Sequence, residues 1–100
     1  FVIEQTLATL AAFGKPVHPF FFRTSDGQEL DLVLDWGVER WAIEIKLTSD
    51  PATDMIHRLN KTADLIDARR RILVCRTARP IRTDALLVTG LPEWIQTIRG

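Results

Sequence analysis

The chain has 100 residues, 46% apolar and 26% charged, with five Gly and five Pro, a composition that describes one domain with a compact core and excludes a disordered tail. The formal net charge is zero, which argues against a dedicated DNA-coating module, since such surfaces are strongly basic. The halves nevertheless differ: residues 1–50 carry four Lys/Arg against eight Asp/Glu, and residues 51–100 carry nine against five, a pattern that fits either a metal site beside a phosphate-binding surface or self-complementary packing.

In chain order, Val2, Ile3, Leu7, Leu10 and Ala11 recur at helical spacing and predict a helix over 1–13, stopped by Gly14-Lys15-Pro16, with Glu4 beside the apolar stripe. The chain opens at Phe1 inside this helix without a Met, so it reads as a piece of a longer protein. Phe20 to Phe22 predict a first strand, and Ser25-Asp26-Gly27-Gln28 a hairpin turn into a second strand from Glu29 to Asp35. A turn at Asp35-Trp36-Gly37-Val38 leads to a third strand from Glu39 to Leu47. Asp50 is the expected N-cap of a helix with Pro51 in its first position, and Met55, Leu59, Thr62, Ala63 and Ile66 form its stripe as far as Ala68. The continuous apolar run Ile72 to Cys75 predicts a central strand covered on both faces. A shorter strand follows at Ala85 to Val88, then a helix carrying Leu91, Trp94, Ile95 and Ile98. This order predicts an α/β fold, a three-layer sandwich around a mixed sheet. The lone Cys75 precludes an internal disulfide and fits a reducing compartment. No run reaches the ~20 apolar residues that span a bilayer, so the expected location is cytoplasmic, without membrane partners.

The second and third strands carry the chemistry. Alternation places Leu30, Leu32 and Leu34 on one face with Asp31 on the other, and sets Ile43, Ile45 and Leu47 against Glu44 and Lys46. Two carboxylates and an ammonium then converge. Mg²⁺ or Mn²⁺ held by Asp31, Glu44 and the Ile45 carbonyl would acidify an attacking water and shield a phosphorane, with Lys46 beside it offsetting phosphate charge. Glu29 shares the face of Asp31, and Arg23 is expected to pair with Glu29 across the hairpin. His18 and His57 lack zinc-ligand spacing. Arg69-Arg70-Arg71 is expected to close the second helix, where cations meet carbonyl ends. Trp36, Trp41 and Trp94 read as core and rim.

Asp31 and Glu44-Ile45-Lys46 resemble the signature of the PD-(D/E)XK nuclease superfamily, with an αβββαβ core, an Asp opening the second strand and a (D/E)-x-K on the third. The runs Val2-Ile3-Glu4-Gln5, Phe22 to Leu34 and Ala42 to Lys46 are similar, more narrowly, to the uncharacterised C-terminal domain of a large family of predicted prokaryotic AAA-type ATPases. The resemblance implies a fourth site residue, Glu4, as a helix-borne metal ligand. It also implies a Mg²⁺-dependent nuclease domain acting on DNA and attached to an N-terminal ATPase module. The alternative is a nuclease-fold domain that no longer cuts and regulates the ATPase or mediates its interactions. The literal Pro-Asp dipeptide is absent and no Gln follows Lys46, which leaves activity open.

Overall fold

The computed structural model describes residues Phe1–Gly100. Helix α1 (Val2–Ala12) stops where Gly14 turns left-handed at φ 60°, which lets the Lys15 and Gly14 N–H groups close on the Leu10 and Ala11 carbonyls at 3.0 and 3.1 Å. Its buried residues are Thr6 and Leu10, with Val2 packed against the core, while Leu7 and Ala11 are exposed. The inward line is therefore narrower than the sequence stripe. Thr6 sets it: Trp94 Nε1 donates to Thr6 Oγ1 at 2.9 Å, and that hydroxyl donates to the Val2 carbonyl at 2.7 Å.

Strands β1 (His18–Arg23), β2 (Glu29–Asp35) and β3 (Arg40–Ile45) form an antiparallel meander. Helix α2 (Thr53–Asp64) then crosses over to β4 (Arg70–Val74), which is parallel to β3. Strand β5 (Ile81–Arg82) and β6 (Leu86–Thr89) follow, and α3 (Leu91–Arg99) ends the chain. The sheet runs β1-β2-β3-β4-β6-β5, with β4–β6 parallel and β5–β6 antiparallel. As the apolar run at 72–75 indicates, β4 is central. The two-residue β5 at the edge went unread because both of its residues are exposed.

Each face has its own core. Leu32, Leu34, Ile43, Ile72, Val74 and Leu87 pack with Leu10, Trp94 and Ile98 under α1 and α3. Leu30, Val33, Ala42, Leu73 and Val88 pack with Leu59 and Ala63 under α2. Helices on both sides explain why Ile72 to Cys75 is apolar throughout: successive side chains enter opposite cores. Truncating one such residue, for example Leu73→Ala, costs about 2–5 kcal/mol.

Three local expectations are corrected. Asp50 does not cap α2: the helix starts at Thr53 after an extended Ala52, and the Asp50 N–H instead bonds Thr48 Oγ1 at 3.3 Å. The helix stops at Asp64, where Asp67 at φ 51° lets the Ala68 N–H reach the Ala63 carbonyl at 3.1 Å. Arg69-Arg70-Arg71 therefore enters β4 rather than closing the helix. Only Arg71 turns back to it, donating to the Ala68 carbonyl at 3.0 Å and to Asp64 Oδ1 at 2.7 Å.

Candidate metal and phosphate site

Strand β2 does not alternate regularly. Phe20 pairs with Val33 and Phe22 with Leu30, so Phe21 faces two residues, Asp31 and Leu32, across a bulge. The extra residue sends Leu30 into the core under α2 while Leu32 and Leu34 enter the opposite one. The expectation that these three leucines share a face is thus corrected. Re-aimed by the bulge, Asp31 presents Oδ2 to the Ile45 N–H at 2.8 Å. The β2–β3 register extends from Asp35–Arg40 to Leu32–Ile43, and past that point the carboxylate takes the place of a ladder carbonyl.

On β3, Ile43 and Ile45 face the α1/α3 core, and Glu44 and Lys46 face α2. Glu44 is hydrogen-bonded to Asp31, and its pKa is pushed up to about 8: burial raises it most, the Asp31 hydrogen bond and charge add to this, and the Lys46 ammonium opposes them. The carboxyl of Glu44 is therefore largely protonated at neutral pH.

Glu44 and Lys46 open into a groove of about 390 Å³ between the β1–β2 turn and α2. Arg58 and Lys61 line it from α2, with Asp26 and Glu29 opposite. Asp26 is held below the ordinary carboxylate range by the Thr24 hydroxyl and the Gln28 amide, an arrangement that fixes the turn. Arg58 and Lys61 were not legible as site residues, although their spacing of three on the polar side of α2 puts them on one face.

The other sequence candidates fall as follows. Ile45, expected to lend its carbonyl, is held through its N–H. Leu47 lies beyond β3 and is exposed. Glu29 lines the groove, while Arg23 opposes it in register without closing an ion pair. His18 and His57 are exposed. Glu4 stands apart, its carboxylate exposed on the outer side of α1. It lies two residues from both Val2 and Thr6, so a helix that turns those inward turns Glu4 out. No group of three or more His, Cys, Asp or Glu side chains is arranged to hold a metal ion, and no helix is long and apolar enough to cross a membrane.

No curated protein and no solved structure matches the chain. The sequence pattern of one family, described as a domain of unknown function, DUF4143, matches residues 1–94. That match covers nearly the whole length, and the chain belongs to the DUF4143 family.

Proposed function

We propose that this domain is a metal-dependent phosphodiesterase of nuclease type, built on a restriction-endonuclease-like core and attached to an AAA-type ATPase. The observation that carries the reading is the contact between the Asp31 and Glu44 carboxyl groups beside Lys46, at the mouth of a groove with further cations. A half-buried carboxyl whose pKa is raised by burial and a neighbouring carboxylate is costly to the fold, and functional sites are where such groups concentrate. An all-oxygen pair suits Mg²⁺ or Mn²⁺, which keep several waters and need only one or two carboxylates alongside substrate phosphate. Asp31 retains one oxygen beyond that given to the Ile45 N–H. Asp31 and Glu44 would hold the ion, which supplies Lewis-acid activation of water and phosphate. Lys46 orients the attacking water and offsets charge at the scissile phosphate, and Arg58 and Lys61 hold neighbouring phosphates.

The standing of Glu4 outside the cluster favours a second reading, a nuclease-fold domain that has lost cleavage and serves the ATPase as a regulatory or docking element. Calorimetric Mg²⁺ titration together with nicking of supercoiled plasmid, run on this domain and on the longer ATPase-containing protein, separates the two. Mg²⁺ binding with nicking supports the nuclease. Binding without cleavage of any nucleic acid by either protein supports the regulatory element.

A further inference from the structure

A second groove, of about 460 Å³, lies at the opposite end of β3, between the β2–β3 turn, Lys15 in the segment after α1, and the end of α3. Trp36, Val38, Trp41, Lys15, Arg69 and Arg70 line it. The two indoles are 5.1 Å apart, tilted by 55°, and Arg70 Cζ stands 5.2 Å from the Trp41 ring centroid. Lys15, Arg69 and Arg70 form no ion pair. The one carboxylate in the lining, Glu39, is taken by the Trp41 indole N–H at 2.6 Å. Lys15 sits beside Gly100, where the carbonyl end of α3 partly offsets its charge, which leaves Arg69 and Arg70 as the main anion donors. Trp36 Nε1 is the one buried side-chain polar atom without a hydrogen-bond partner, an orphan that native interiors seldom keep without a reason.

We propose that this groove binds a nucleoside phosphate, either as a free nucleotide or as a unit of a single strand. Two tilted indoles with a guanidinium over one of them, Trp41, offer a platform for a planar base. Arg69 and Arg70 take the phosphate, and a small rotation of Trp36 offers its N–H to an acceptor on the ligand. An acidic peptide would use the cations but leave the indoles and the exposed Val38 without a role. The site is independent of the carboxylate pair, being on the α1/α3 side of the sheet, so binding does not require metal.

The test is made in EDTA, which silences any cleavage. Fluorescence anisotropy with a labelled ten-nucleotide single strand and calorimetry with AMP are run on the unmutated chain, Arg69→Gln, Arg69→Lys and Val38→Glu. Val38 is 93% exposed at a turn, so Val38→Glu brings a negative charge to the groove without disturbing the core. Expected is a loss of at least tenfold for Arg69→Gln and Val38→Glu, retention in Arg69→Lys, and a salt slope near −0.7 for each phosphate neutralised on a single strand. Binding of AMP alone identifies a nucleotide pocket, and binding of the strand alone identifies a strand groove. No binding of either ligand overturns the proposal, as does binding indifferent to Arg69→Gln and Val38→Glu, or tighter binding of a poly-glutamate peptide than of both nucleic ligands.

Discussion

Glu44 and Asp31 share a hydrogen bond between adjoining strands, and each is there for a different reason. Glu44 follows from simple alternation along β3. Asp31 arrives through a bulge in the β1–β2 pairing, and on its β3 side its carboxylate accepts from the Ile45 N–H.

The raised pKa of Glu44 makes stability depend on pH. Its folded value is about 8, against 4.5 for the free carboxyl. The stabilisation from the protonated form is complete below pH 4.5 and lost as pH rises through 8, so stability should fall across that window. Solvent in the open groove screens the pair, which limits the total to about 1–2 kcal/mol. Urea melts at pH 5, 6.5 and 8 in EDTA should show the decline, and Glu44→Gln should flatten it.

Cation binding must displace that proton. Below pH 8, Mg²⁺ binding should release close to one proton and weaken as pH falls. Calorimetry in PIPES and in ACES, whose ionisation heats differ, gives the count directly. A count of zero at pH 6.5 would place the ion away from Glu44.

Asp31 holds two roles that substitutions can part. Asp31→Ala leaves the Ile45 N–H without its partner and should cost about 1–3 kcal/mol. Asp31→Asn keeps an acceptor for that N–H and offers Glu44 an amide, so in metal-free buffer it should melt at or above the unmutated temperature. Added Mg²⁺ should reverse that ranking.

Lys46→Ala should separate binding from chemistry. Lys46 is not a ligand in this scheme, so Mg²⁺ affinity should hold or improve once its charge is gone, while hydrolysis falls by about 10²–10³. Glu44→Ala should lose both. Nicking that survives Lys46→Ala would sink the assignment.

Thr6 and Trp94 tie the first helix to the last. Thr6→Val leaves the Trp94 indole N–H buried without an acceptor and should lower stability by about 1–3 kcal/mol, measurable as a shift in the urea midpoint at constant slope.

What the sequence shows about this molecule depends on how far apart the deciding residues lie. The turn at Asp35 to Val38, the crossover into a central β4 and the shared face of Glu44 and Lys46 all follow from neighbours within a few positions, and all were legible. The rotation of α1 was not, because it is set by Trp94, 88 positions from Thr6; with it went the placement of Glu4. The bulge at Asp31-Leu32 was hidden as well. Both residues suit a plain strand, and only pairing with Phe20 and Phe22 reveals the surplus one.

The surplus residue also makes this stretch count its own length. Between Leu30 and Leu34 the chain carries one position more than a regular strand needs, and the two cores are filled on that count. Deleting Leu32 would straighten the strand with Leu30 and Val33 still on the α2 side, but would take Leu32 out of the α1/α3 core and turn Asp31 toward it. Deleting Asp31 would let the strand run straight and would remove the carboxylate. Insertions are absorbed a few residues upstream, in the exposed turn around Gly27. Length variation among chains of this kind should gather there and stop abruptly at Leu30.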